Sequence, residues 1–115
     1  MFRKNKKKKE QTNAHLSIGE GLYKTKSGEV VRFMNIDAQF NVPESTDIKS
    51  SISHDMLRST LIAQCYHFTL QEIIDASGVF EKAICAALNQ LISESDIQCI
   101  AFAVEQKEEV YSTTR

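Results

Sequence analysis

The chain is poor in the residues that break or staple a fold. It has one Pro, four Gly and no Trp in 115 residues. So little Pro and Gly, with 42% apolar residues, excludes a low-complexity or disordered chain and leaves enough greasy surface for one core. Three cysteines, Cys65, Cys85 and Cys99, form no C-x-x-C pair and each sits among apolar neighbours. An odd count at wide gaps argues against a disulfide framework or a zinc site, and the expectation is buried, reduced thiols. No stretch approaches the roughly 20 apolar residues that a membrane-spanning helix needs. The basic N-terminus is not followed by an apolar run, so it lacks the pattern of a signal peptide, and as written the chain is expected in the cytoplasm or peripheral at the inner membrane.

Negative charge is missing from the start of the chain. Arg3, Lys4, Lys6, Lys7, Lys8 and Lys9 carry six of the 14 basic residues. The other eight, and all 15 acidic residues, lie from Glu10 onward and leave that part at a net −7. Residues 1–14 are therefore read as a disordered basic arm, a candidate for binding an anionic membrane surface. Nucleic acid is disfavoured as its partner, because only Phe2 is near enough to offer a base a stacking surface. A plain solubilising arm is the bland alternative.

What is present is hydrophobic period. From Met34, alternate residues are apolar: Met34, Ile36, Ala38, Phe40 and Val42. That comb predicts a strand with one greasy face, closed by Pro43, which cannot donate to a central ladder. Leu16, Ile18, Leu22 and Tyr23 suggest an earlier strand interrupted at Gly19-Glu20-Gly21. Lys26-Ser27-Gly28-Glu29 reads as the turn that folds Leu22–Thr25 back as a hairpin. A first helix is expected to start between Asp47 and Ser51 and run to about Tyr66, with Ile48, Ile52 and Met56 in one row and Leu57, Leu61, Cys65 and Phe68 in another. Thr69-Leu70-Gln71-Glu72 has the capping-box pattern of a short helix. Ser77 is a candidate cap for the next helix, whose stripe is Phe80, Ala83, Ile84, Ala87, Leu88 and Leu91. Ile97–Val104, apolar at nearly every position, predicts a strand covered on both faces, or on one face and by a partner. From Glu105 the polar chain is expected to fray. The expectation is an α+β domain over 15–106, a small, mostly antiparallel sheet in the order β-β-α-α-α-β with helices on one face, and a frayed tail over 107–115.

Candidate chemistry is thin. Ser53-His54-Asp55 holds the residue types of a hydrolase triad, but consecutive helical residues point apart and cannot make a nucleophile–base–orienter line. His67 suits a helix C-terminus, and His15 stands alone in its segment, so neither suggests a metal ligand. Glu72, Asp75 and Glu81 are better explained by helix-start electrostatics than by paired-carboxylate catalysis. Gly19-Glu20-Gly21 lacks the third Gly and the strand-to-helix setting of a phosphate loop. The reading is of a non-enzymatic chain without catalytic, cofactor or metal residues.

From about Val30 to Gln106 the chain resembles the C-terminal domain of the flagellar basal-body protein FliL and the stomatin/prohibitin (SPFH) homology core. The resemblance is carried by Val30–Val42, Leu57-Arg58-Ser59-Thr60-Leu61, Phe68-Thr69-Leu70-Gln71-Glu72-Ile73, Ala87-Leu88-Asn89-Gln90-Leu91 and Phe102-Ala103-Val104-Glu105-Gln106. It implies a non-enzymatic, self-associating scaffold, a homo-oligomer whose partners on the flagellar side are the motor's stator proteins. FliL-type domains are periplasmic and membrane-anchored, whereas this sequence has the lysine arm where they have a transmembrane helix. Asp96 also stands where the SPFH pattern often has Gly.

Overall fold

The computed structural model describes residues 10–110. Two long strands, β1 (Gln11–Lys24) and β2 (Val30–Pro43), form an antiparallel hairpin, with Leu16 opposite Ala38 and Tyr23 opposite Val31. The turn is the one expected, and Gly28 takes a φ of 97° that would strain a residue with a Cβ. A single 3-10 turn at Ile48–Ser50 leads to α1 (His54–Cys65), α2 (Leu70–Ile74) and α3 (Val79–Leu91). The chain then returns as β3 (Gln98–Val110), antiparallel to β2, so the sheet order is β1-β2-β3 with β2 in the centre. This is the expected α+β class, with the helices on one face.

The first helix starts later than its apolar rows suggest. Ile48 and Ile52 are buried, but they reach the core from the 3-10 turn and the bend after it. Ser53 then stops the irregular stretch: its hydroxyl accepts from the Met56 amide at 3.1 Å and begins α1. Leu57, Leu61 and Cys65 are wholly buried below it. The Thr69–Glu72 capping box forms in both directions, at 3.1 and 2.9 Å. Ser77 does not cap α3. Gly78 holds that place in the left-handed region, at φ 78°, and Ser77 instead bonds to Asp75. Phe80, Ile84 and Leu88 of α3 are fully buried, whereas Leu91 is half exposed.

Phe80 is the hub of the core. Its ring lies 5.6 Å from Phe33, 5.5 Å from Phe68 and 6.4 Å from Phe102, the last two edge-to-face. Tyr23 extends the cluster, 5.2 Å from Phe33. Complete burial of such side chains stabilises by about 1.5–3 kcal/mol each.

The comb in β2 is correct from Ile36 to Val42, all at 0% exposure on alternate positions, but Met34 is not part of it. The buried positions on the other side are Val31 and Phe33, so the inward set changes from odd to even numbers between Phe33 and Ile36. The cause is Asn35, which sits at φ 56° in the middle of the central strand. One left-handed residue turns the following side chains to the opposite face; Asn tolerates it better than most residues. The neighbours change phase at the same row. Leu16 and Ile18 are inward before Gly19, and Tyr23 after it. β1 is thus one continuous strand, not interrupted at Gly19-Glu20-Gly21. Gly21 is needed there, because a Cβ at that position would collide with the ring of Tyr23.

The ends of the domain also lie outside the expected 15–106. Residues 11–14, read above as arm, are the first rungs of β1, with Gln11 opposite Pro43. β3 continues to Val110 instead of fraying at Glu105. Lys107 explains why: its ammonium donates to the Ile73 carbonyl at 2.8 Å, pairs with Glu81 and lies over the Phe80 ring. A cation that binds three groups on two helices at once holds the strand end down. Arg3, Lys4, Lys6, Lys7, Lys8 and Lys9 lie outside the described residues.

Candidate functional site

The face of the sheet away from the helices is polar, and its groups are tied across strands. Asp37 of β2 accepts from the Ser17 hydroxyl at 2.6 Å and faces His15 Nδ1 at 2.8 Å, both on β1. Arg32 of β2 donates to Glu108 of β3 at 2.7 Å and lies 3.6 Å from Glu20 of β1. The hydrogen bond and charge of Glu108 raise the Arg32 guanidinium further above its ordinary range. The Asn35 side chain reaches Glu105 of β3. Three rows of the open face are therefore tied across strands, although Arg32 Nε has no hydrogen-bond partner among the described residues.

Ser17, Asp37 and His15 bring together the residue types of a hydrolytic triad, some 20 positions apart in the chain. Their order is wrong for that chemistry. The carboxylate takes both contacts, so the serine proton is directed at Asp37, and no base stands between them. The side chains of His15 and Asp37 are also about 53% and 35% exposed, so nothing keeps water out. Sequence reading left His15 alone because its partner appears only when the hairpin register is known.

The other candidates disperse. Ser53 is occupied as a helix cap, and Asp55 lies 3.4 Å from Arg58 in the next turn, so Ser53-His54-Asp55 forms no relay. His67 is exposed beyond the end of α1. Glu72 closes the capping box and Asp75 holds Ser77. Glu81 lies in the first turn of α3, as helix-start electrostatics predicts, and also answers Lys107. Among the described residues, no three His, Cys, Asp or Glu converge as metal ligands, and no helix is long and apolar enough to cross a membrane.

Cys65 is completely buried, and burial pushes its thiol up to about 12, opposed by the charge of Lys107. Burial also pushes up the phenol of Tyr23, with a smaller contribution from Cys65. The three thiols are free, and Cys99 of β3 is buried like Cys65; Cys85 of α3, joined to it by no spacing motif, is part-buried and has its sulfur 2.9 Å from that of Cys99.

Two surfaces lack polar closure. One is a shallow groove of about 460 Å³ between α1 and α3, lined by Met56, Ala63, Ala87 and Leu91 among others. The second is the outer edge of β3. A β-bulge shifts its pairing, so that Gln39 faces Ala101 while Phe40 faces Cys99, and leaves Ile100 without a rung. Ile100 is 49% exposed, and Ala101 and Ala103 are exposed beside it. Of the two arrangements its composition suggested, cover on both faces is absent: the helices cover one face, and Ile97, Cys99 and Phe102 are the buried residues of this run. No family model matches the chain, and no curated protein matches it.

Proposed function

We propose that this protein is a non-enzymatic, self-associating scaffold of the FliL/SPFH type, joined to further copies through the outer edge of β3. The observation that carries the reading is that edge. Among the described residues β3 pairs with β2 alone, and from Gln98 to Val104 it presents no charge and no Pro, with Ile100, Ala101 and Ala103 in solvent. An uncharged edge with free backbone groups is a template for another strand. The open face is a poorer contact surface, because most polar groups around Asp37, Arg32 and Asn35 are already bonded across the strands. The bulge at Ile100 limits the pairing to a short stretch, which favours a finite assembly over an open fibre. The pieces that resemble FliL support the same class through the fold they build: Leu57, Leu61, Ile73, Leu88 and Phe102 are core, and Thr69 and Glu72 are a cap. On this reading the stator proteins of the flagellar motor are the first heterologous partners to test.

Light scattering of the full chain from micromolar to millimolar concentration tests the proposal. The expected result is a mass that rises with concentration and returns to that of one chain in Ile100→Lys and Ala101→Lys. A wild-type mass that stays at one chain throughout the range overturns it.

The segregation of charge favours a second use, in which Arg3 to Lys9 hold the assembly against an anionic membrane surface. Binding to vesicles containing phosphatidylserine should then fall steeply with salt and vanish when residues 3–9 are deleted.

A further inference from the structure

The two cysteines that meet between α3 and β3 have no part in the scaffold reading. Cys85 lies on the third helix and Cys99 on the returning strand, 14 residues apart, with their sulfurs 2.9 Å from each other. Closing to a disulfide, at roughly 2.05 Å, needs a shift smaller than one ångström. The backbone around Cys99 is already held at that place. Asn89, one helical turn beyond Cys85, accepts from the Cys99 amide at 2.7 Å and donates to the Cys99 carbonyl at 3.2 Å. This two-point clamp fixes the strand against the helix, so the thiols face one another without rearrangement of the fold.

The two thiols differ in access. Cys99 is buried, and burial raises its thiol well above the ordinary range, with the hydrogen bond it shares with Cys85 adding to the effect. Cys85 is only partly buried and forms one wall of an open groove of about 470 Å³, together with Lys82, Asn89, Ile100 and Ala101. An exchange reagent can reach the outer sulfur from this groove, and the inner sulfur can then act on the product. Cys65 lies elsewhere in the core at 0% exposure and is a built-in control.

We propose that Cys85 and Cys99 are a redox-active dithiol that closes to an intramolecular disulfide by exchange with a small disulfide such as oxidised glutathione. Cys85 loses its proton and attacks one sulfur of the reagent, and one glutathione leaves as its thiolate and takes up a proton. Cys99 then gives up its proton and attacks Cys85 in the mixed disulfide, releasing the second glutathione. The two protein thiols are oxidised to one disulfide, and one molecule of oxidised glutathione is reduced to two of glutathione. The bond ties the last helix to the last strand, beside the exposed edge of β3.

The test uses the full reduced chain, equilibrated with oxidised glutathione and read by intact mass, thiol titration and peptide mapping. The expected product has lost two hydrogens, carries no glutathione, keeps one titratable thiol of three and yields the Cys85 and Cys99 peptides joined. Its Tm rises by roughly 10 °C, and dithiothreitol reverses the change. Cys99→Ser should stop at the glutathione adduct on Cys85, and Cys85→Ser should leave Cys99 unmodified. Three surviving thiols, a lasting adduct on Cys85 in the wild-type chain, or a disulfide that includes Cys65 or a second chain would each overturn the proposal. Ile100 and Ala101 line both this groove and the edge proposed for self-association, so the exchange is run on dilute wild-type or Ile100→Lys protein whose mass by light scattering is that of one chain.

Discussion

The two faces of the sheet show how differently one set of strands can be held. The covered face is held by volume: Phe33, Phe80 and Phe102 interlock, and even the cation on that side, Lys107, is bound by a carbonyl, a carboxylate and a ring. The open face is held by polar pairs that reach across the strands, each in contact with water. Groups exposed to water exchange one set of hydrogen bonds for another at little net gain, whereas a filled core cannot lose an atom without a cavity. Stability should therefore lie on the covered face. The open face sets register and keeps water-facing polar groups matched, and what is left over for other chains lies at the edge.

The comparison can be broken most directly at its hub. Phe80→Ala removes the ring shared by Phe33, Phe68 and Phe102 and should cost about 3–5 kcal/mol in urea unfolding. A loss below about 1 kcal/mol would mean the core is not packed around that residue. Next comes the cation latch. Lys107→Met leaves Glu81 partly buried without its partner and the Ile73 carbonyl without its donor, at about 2–3 kcal/mol. Adding Glu81→Leu should recover a good part of that, because removing both charges is less harmful than removing one. If the two losses simply add, the latch is not a coupled pair.

Alkali should act on the covered face alone. The folded Cys65 thiol is held at about 12 against an ordinary value of 9.0. Its folded value is the higher one, so its contribution is complete below pH 9 and declines as pH rises from there through 12. Going from pH 9 to 10 should cost about 1 kcal/mol on this account. Unfolding curves of wild type and Cys65→Ala should diverge in slope over that interval; parallel curves would remove Cys65 as the source.

Substitutions at two further positions sharpen the contrast from the open side. Asn35→Val forces a β-branched residue into the left-handed region and should cost about 1–2 kcal/mol, whereas Asn35→Gly should be nearly neutral. Equal losses for both would show that the side-chain bond to Glu105, not the backbone conformation, is what matters. Arg32→Ala should have the smallest effect: its partners Glu20 and Glu108 are about half exposed, and the thermal midpoint should hardly move.

The sequence by itself settled the class of fold and most of its local grammar. The hairpin turn at Gly28, the capping box at Thr69–Glu72, the Leu57–Leu61–Cys65 row below α1 and the Phe80–Ile84–Leu88 stripe on α3 are all governed by residues within four positions of one another, so they can be read one window at a time. What only the tertiary structure decided depends on register across the sheet. The change of phase at Asn35, the anchoring of Lys107, the meeting of Cys85 with Cys99 and the Ser17–Asp37–His15 cluster each join residues brought together by strand pairing or by packing of helix on sheet. A comb of alternating apolar residues indicates that a strand has two faces, but one left-handed residue within it exchanges them. The strands paired on either side of Asn35 come from elsewhere in the chain, and no local window contains them.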